Sequence, residues 1–258
     1  MRPVLGIDIG GSGIKGALVD LEKGEFCTDR LRIPTPEKST PAKVAQVVAR
    51  IVNSFAAEHD LGDDPVGITI PAVVTHGRTR SAANIDKSWI DAEAEQIFAD
   101  KLGRRVVLVN DADAAGMAEV QYGAAKGHPG LVIVTTLGTG IGSALIYRGL
   151  LVPNTELGHL EIDGRDAESH ASAGVKTNEG LKYSEYVPRL QRYYSHLESL
   201  FWPDLIVVGG GISRSHHKFL PKLELKTPII PAELRNRAGI IGAAWLAVDA
   251  QSHPDPLG

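Results

Sequence analysis

Surplus positive charge, cysteine and long apolar runs are all scarce in this 258-residue chain, and each shortage excludes something. Lysine and arginine number 27 against 31 aspartates and glutamates, a formal net charge of −4, so no cation excess is available to displace the counterions of a nucleic-acid backbone. Nucleic acid is not expected as a partner. Cys27 is the single cysteine, which rules out an internal disulfide and any multi-cysteine zinc or iron–sulfur site within one chain. The longest apolar runs, such as Leu131–Leu137 and Leu205–Val208, fall far short of the ~20 residues of a membrane-spanning helix, and Val4 opens a strand rather than a signal peptide. No membrane contact is expected, and a reducing, cytoplasmic location is. What remains, 43% hydrophobic and 22% charged residues, is the composition of a globular protein with one or two real cores.

The order of elements reads as α/β. Val4–Ile9 is a buried strand ending in glycines, Ile14–Asp20 resumes as its hairpin partner, and Thr28–Ile33 reads as a third strand. Thr40 and Pro41 start an amphipathic helix carrying Val44, Val47, Val48, Ile51, Val52 and Phe55 at helical spacing. Strands follow at Val66–Ile70, near Val73–His76 and at Arg105–Val109, with helices over Ala92–Leu102 and from Ala112 to Tyr122. The Gly-rich stretch Gly123–Gly130 reads as a boundary between lobes. Beyond it the opening pattern repeats: Leu131–Leu137, Gly138-Thr139-Gly140-Ile141-Gly142 and Ser143–Tyr147 are again strand, glycine turn and strand. A polar stretch over Asn154–Asn178 leads to a helical region from Glu179 to Leu200 that Pro188 should restart or kink. The strand Leu205–Val208 then runs into Gly209-Gly210-Gly211, and a last helix covers Ala238–Val248. Two lobes are expected, residues 1–112 with 237–258 and residues 113–236.

The chemistry-bearing residues cluster at strand ends. In Asp8-Ile9-Gly10-Gly11-Ser12-Gly13-Ile14-Lys15, glycines let backbone N–H groups approach an anion, Ser12 offers a hydroxyl, Lys15 a charge, and Asp8 a carboxylate for hydrated Mg²⁺. No helix follows and the Lys-Ser/Thr ending of a Walker loop is missing, so the motif is neither common nucleotide fingerprint; a plain glycine hairpin is its other reading. The second turn, with Thr136, Gly138, Thr139 and Gly140, has the same logic. Two such turns in two similar lobes point to a phosphate chain held by both, or to a duplication without a ligand. Gly210 and Gly211, after a buried strand, would seat a phosphate or merely make a turn. Asn110-Asp111 closes another strand, where Asp111 reads either as an N-cap or as the general base taking a proton from an attacking hydroxyl. Asn84 and Asp86, with Glu156 and His159, are the donor and acceptor types that hold polyhydroxyl substrates, though each alone suits an ordinary loop. His216-His217 reads as surface rather than as a metal site.

Taken in order, these motifs resemble the ROK family of sugar kinases, within the actin-like ATPase superfamily, over residues 4 to about 248. The resemblance implies a two-lobed actin-like ATPase (ribonuclease H-like) fold with a cleft between lobes, two phosphate loops, Asp111 as catalytic aspartate, and sugar contacts from Asn84, Asp86, Asn110, Asp111, Glu156, His159 and Glu168. Many members carry a three-cysteine zinc loop where this chain has Asp163-Gly164-Arg165-Asp166-Ala167-Glu168-Ser169-His170, so no structural zinc is expected. The tract from Leu157 to Gly164 is similar to the family's polyphosphate glucokinase and polyphosphate/ATP glucomannokinase branch. That similarity implies phosphorylation of the 6-hydroxyl of glucose, and of mannose in some members, from inorganic polyphosphate or ATP with Mg²⁺, in a homodimer. An ATP-only hexose kinase is the main rival. A sugar-sensing repressor would need a helix-turn-helix ahead of the first loop at residue 8, and a polyphosphate hydrolase would leave Asn84, Glu156 and His159 unexplained. Lys182, Arg189 and Arg192 would share a face if their helix were continuous, and would then extend a polyanion track.

Overall fold

The computed structural model describes residues 2–252 and divides the chain into two compact units, one of residues up to Ala118 with the segment from Arg237 onward, the other Glu119–Asn236. The stretch 253–258, included in the expected first lobe, lies outside the described residues. The division falls inside a helix, and the glycine-rich stretch Gly123–Gly130 lies within the second unit.

In the first unit, β1 (Val4–Gly10) and β2 (Gly13–Asp20) form the antiparallel hairpin, and β3 (Glu25–Phe26) and β4 (Leu31–Ile33) both pair with β2. The single strand expected over Thr28–Ile33 is thus shorter and begins later. At the break the Leu18 N–H donates to the Thr28 hydroxyl at 3.2 Å instead of a backbone carbonyl, which interrupts the ladder. Helix α1 (Pro41–Glu58) starts after Thr40, whose side chain makes no cap bond, and buries Val44, Val47, Val48, Ile51, Val52 and Phe55. Next come β5 (Val66–Ile70), the small hairpin β6 (Val74–Thr75) and β7 (Arg78–Thr79), a 3₁₀ turn at Lys87–Trp89 and α2 (Ala94–Leu102). They are followed by β8 (Val106–Asn110) and α3 (Asp111–Tyr122). The sheet order is β3-β2-β1-β5-β8, with β1, β5 and β8 parallel.

The second unit repeats the scheme. Strands β9 (Leu131–Leu137), β10 (Ile141–Tyr147) and β11 (Leu150–Val152) are antiparallel. The polar stretch after them folds as the hairpin β12 (Glu161–Ile162) and β13 (Arg165–Asp166) with α4 (Glu168–Ala171) and α5 (Ala173–Asn178). Helix α6 (Tyr183–Phe201) runs unbroken through Pro188, contrary to the expected restart. A proline inside a helix costs about 3 kcal/mol, whereas Tyr186, Leu190, Tyr193, Tyr194 and Leu197 are all buried on one face of α6, each contributing roughly 1.5–3 kcal/mol. Packing wins. Strands β14 (Leu205–Gly209) and β15 (Ile229–Pro231) add in parallel to β9, giving the order β11-β10-β9-β14-β15. Gly211–Lys218 is a run of 3₁₀ turns with a kink at Ser215.

Helix α7 (Ala238–Ser252) completes the first unit. Its backbone lies on the sheet so closely that a Cβ on Gly6 would strike the Ile240 carbonyl, and one on Gly67 the Ala243 carbonyl. The same approach sets Gly239, in the helix's first turn, beside Asp8, whose Oδ1 would lie 3.4 Å from an added Cβ.

Candidate active site

Three parallel strands of the first unit end side by side, and their register decides which side chains share that edge. Asp8 on β1 aligns with Thr69 on β5, and Ile70 aligns with Asn110 on β8. Asp8 also faces Lys15 across the hairpin. Its carboxylate takes both neighbours: Lys15 Nζ lies 3.0 Å from Oδ2, and the Thr69 hydroxyl donates to Oδ1 at 3.1 Å. Lysine and carboxylate are therefore fixed before any ligand arrives.

The turn between β1 and β2 holds its glycines for room rather than for unusual dihedrals, since none of Gly10, Gly11 and Gly13 has positive φ. A Cβ on Gly13 would come within 2.6 Å of Arg32 Nε, and one on Gly11 within 3.2 Å of the Asn84 carbonyl. Arg32, opposite Lys15 in the β2–β4 register, donates from Nη2 to the Ser12 carbonyl at 2.8 Å. The Thr35 hydroxyl donates to the Gly10 carbonyl at 2.5 Å. Asn84 sits in the left-handed region at φ 58°, which asparagine tolerates better than most residues. The structure thus brings Asp8, Gly10, Gly11, Ser12, Lys15 and Asn84 to one neighbourhood.

Three expected residues stand differently. Asp86 caps the 3₁₀ turn after it, its Oδ1 accepting from the Ser88 N–H at 2.9 Å and the Ser88 hydroxyl at 2.5 Å. These two bonds from Ser88, the hydroxyl's the stronger, hold its carboxyl below the ordinary aspartate value. Asn110, and not Asp111, caps α3: its Oδ1 accepts from the N–H groups of Ala112 and Asp113 at 2.8 and 3.1 Å, while Nδ2 donates to the Ala72 carbonyl at 3.1 Å. A sugar contact from Asn110 would have to use the second Nδ2 hydrogen. Asp111, half-buried, opens the first turn of α3, relieved of the capping role it was assigned as one reading.

In the second unit the glycine turn is held by its own surroundings. The Gly138 N–H is spent on the Gly140 carbonyl at 2.9 Å, and the Gly138 carbonyl accepts from the Gly174 N–H at 2.8 Å. The Ile141 N–H donates to Glu168 Oε2 at 2.7 Å, and that carboxylate occupies the space a Cβ on Gly140 would take. Gly138 is therefore not an N–H donor to a phosphate as the turn stands, which corrects its expected role. Gly158 approaches the Ile141 carbonyl, and Gly174 the Thr139 carbonyl, too closely for side chains. Gly210, at φ 80°, packs against the Leu137 backbone and accepts from the Ser213 N–H and hydroxyl at 3.2 and 2.8 Å. Gly211 faces open space.

Beside this turn stand the carboxylates and the imidazole. His159 Nδ1 is 2.8 Å from Asp166 Oδ2, and its Nε2 is 3.9 Å from Glu156 Oε2. The Asp166 hydrogen bond raises His159 above its ordinary value, against the opposing effect of burial. Burial pushes Glu156 up, countered by His159 and reinforced by the Glu168 charge. Burial also acts to raise Asp166, but bonds from His159 and the Ser169 N–H together outweigh it and hold the carboxyl low. Among the described residues no group of three or more His, Cys, Asp or Glu side chains is placed to hold a metal ion. Where a zinc loop stands in other members, Arg192 grips Asp163 through Nε and Nη2, both at 2.8 Å, tying the β12–β13 hairpin to α6. Arg189 pairs with Glu179 at 2.7 Å, and Lys182 is the N-cap position of α6. The helix is continuous, yet two of the three cations expected to form a track are already neutralised.

Arg32, Thr35, Thr69, Asp166 and Gly174 are additions that the sequence reading did not single out. Thr69 and Arg32 were accessible only through strand register, because each meets its partner across a sheet rather than along the chain.

These features define the class: the chain belongs to the ROK family, whose model matches residues 4–181, and its mixed α/β fold is that of the actin-like ATPases. The chain is 49% identical to the polyphosphate glucokinase of Mycobacterium tuberculosis strain H37Rv, over 98% of this chain and 94% of that protein. Among solved structures it is similar to the inorganic polyphosphate/ATP-glucomannokinase of Arthrobacter sp. strain KM, with 53% identity, a TM-score of 0.92 and coverage of 96% of this chain and 99% of that one. A ROK family glucokinase from Streptomyces griseus, at 24% identity and a TM-score of 0.81 over 96% and 99% of the two chains, shares the fold.

Proposed function

We propose that this protein transfers a phosphoryl group to the 6-hydroxyl of glucose from inorganic polyphosphate or ATP, and that mannose is a second acceptor. The observation that carries the reading is the shared strand edge of the first unit, where a glycine turn flanked by Lys15 and Arg32 and the Asn110-Asp111 corner lie at the ends of neighbouring strands. Near-full-length similarity to relatives named polyphosphate glucokinase and polyphosphate/ATP-glucomannokinase supports it.

In this reading Asp111 accepts the proton of the sugar 6-hydroxyl as its oxygen forms a bond to the terminal phosphorus, and the bond from phosphorus to the leaving phosphate oxygen breaks. Phosphoryl transfer needs alignment and charge neutralisation more than covalent help. Lys15 and the N–H groups of the Gly10–Gly13 turn supply charge; Thr136, Thr139 and Gly140 supply the second turn's contacts, with Gly210 and Gly211 behind it. For ring hydroxyls the first unit offers Asn84; the second offers Glu156, His159 and Glu168, with the Asp166 bond orienting the imidazole.

Asp8 suits Mg²⁺, because that ion keeps several waters and binds through one or two carboxylates plus substrate phosphates. Both Asp8 oxygens already accept from Lys15 and Thr69, so the ion would be held through water. When bound, Mg²⁺ supplies neutralisation of the donor phosphates. A homodimer and a cytoplasmic location belong to the same reading; no helix among the described residues is long and apolar enough to cross a membrane.

The test is a matrix of glucose and mannose against ATP and purified polyphosphate, following the sugar 6-phosphate. Glucose 6-phosphate from both donors is expected. Phosphate release without sugar phosphate would discard the reading in favour of a hydrolase.

A further inference from the structure

The cations near the candidate site differ in whether the protein already neutralises them. Lys15 pairs with Asp8, Arg189 with Glu179 and Arg192 with Asp163. Among the described residues no carboxylate pairs with Arg32; its one side-chain hydrogen bond goes to the Ser12 carbonyl, a neutral acceptor in the glycine turn itself. A guanidinium has five N–H donors in a rigid fork suited to phosphate oxygens, so the bond to Ser12 fixes the fork over the turn while leaving most of it available. Gly13 has no side chain, and any Cβ there would crowd Arg32 Nε at 2.6 Å. The turn is therefore shaped to admit this side chain.

We infer that Arg32 binds the phosphoryl donor and sets its class, favouring an inorganic polyphosphate chain over a nucleotide; the inference deepens the proposed kinase reading and rests on it. A nucleotide replaces charge with ribose and base beyond its third phosphate. Polyphosphate continues as phosphate, and every unit within about one Debye length, roughly 8–10 Å, of an uncompensated exposed cation adds attraction. Arg32 is exposed and unneutralised, whereas α6 offers no comparable charge at Arg189 or Arg192.

The experiment measures KM for ATP, tripolyphosphate and long-chain polyphosphate at saturating glucose, in the wild type, Arg32→Gln and Arg32→Lys. Arg32→Gln is expected to raise the long-chain KM about tenfold, the value of one charge-assisted contact, tripolyphosphate less, and ATP by at most about threefold, with the glucose KM unmoved. Arg32→Lys should recover part of the long-chain loss by keeping the charge. Equal rises for ATP and long chains, or none, would overturn the inference and leave the kinase reading standing, as would a wild type using ATP alone. A wild type that phosphorylates glucose from neither donor would remove the kinase reading itself. Should Arg32→Gln fail to fold, the wild type decides: its long-chain KM must climb more steeply with salt than its ATP KM, and a parallel climb sinks the proposal.

Discussion

The two glycine turns share a backbone plan and differ in the charge set around it. The first is met by cations, with Lys15 and Arg32 in register on adjacent strands and the Asp8 carboxylate tied to Lys15. The second is met by the Glu168 carboxylate, which takes the Ile141 N–H and fills the space over Gly140, and it spends the Gly138 N–H internally. A duplicated hairpin thus stands in two settings: in the proposed reaction the first turn supplies the charge that meets the donor, while the second, stiffened by a carboxylate, supplies neutral contacts and lies beside the sugar-binding groups Glu156 and His159.

The largest effect expected from this division falls on Asp111. Replacing it by asparagine keeps the shape of the first turn of α3 and removes the base, so kcat should drop by at least ~10², the range usual for a lost general base, with sugar affinity nearly intact. Glu156→Gln should show the converse, a raised glucose KM with a smaller loss of kcat, because Glu156 stands in the second unit among the sugar groups. Steady-state kinetics with glucose titrations separate the two patterns. A shared pattern would mean that the units do not divide the labour as described.

Next in size is a stability effect confined to the second turn. Gly210 combines φ 80° with a backbone contact to Leu137, so Gly210→Ala must strain both; a loss of about 2–3 kcal/mol is expected. Gly211, which faces open space, provides the control, and Gly211→Ala should unfold within about 0.5 kcal/mol of the wild type in urea. Losses of equal size would show that the triple glycine serves flexibility rather than packing on the second turn.

How much of this could be read from the chain alone follows the reach of each interaction. Both strand–glycine–strand hairpins and the amphipathic α1 were legible, because the period of apolar residues and the glycine punctuation are local signals. Pro188 misled for the opposite reason: its local cost was visible, but the buried face of α6 that offsets it, including Tyr186, Tyr193 and Tyr194, exists only once the helix meets its core. The capping reading falls on Asp111 in the sequence, because only the fold shows Asn110 Oδ1 turned to the N–H groups of Ala112 and Asp113. Asp86 is expected among the sugar contacts, and the fold adds that Ser88, two residues on, bonds its Oδ1. The cation that bears on the donor lies on β4, and no spacing rule links Arg32 to Ser12 before the β2–β4 register is known.

Glu168→Gln tests whether the second turn depends on a charge or only on an acceptor. The amide keeps an oxygen for the Ile141 N–H but loses the charge-assisted character of the bond, a difference of about 1 kcal/mol. Thermal unfolding should register that small loss, and the glucose KM should rise with it, since a looser Gly140 moves the groups around it. An unchanged melting temperature with an altered KM would instead confine Glu168 to substrate contact.

The smallest effect is a pH dependence, and its sign follows from the two partners of one hydrogen bond. His159 is raised by Asp166 above its reference of 6.5, so its contribution to stability is full below that value and fades as pH rises through the higher folded pKa. Asp166, held below its reference of 3.8, contributes fully above that value and loses its share as pH falls through the lower folded pKa. The bond is therefore at full strength between those two references. Glu156 runs against it: burial raises its pKa above 4.5, so charging that carboxyl weakens folding as pH climbs through the raised value. In His159→Gln the first contribution disappears and Glu156 loses the positive neighbour that moderated its rise. The gap in melting temperature between wild type and variant should accordingly be widest below the imidazole reference of 6.5 and narrow as pH climbs through the raised folded value. His159 is half exposed, with 55% of its side chain accessible, so solvent and salt screen the pair, and raising the ionic strength should narrow the gap at every pH. A gap that stays constant across that range would assign the difference to packing of the ring, and the electrostatic link between the second turn's carboxylates and the imidazole would be lost.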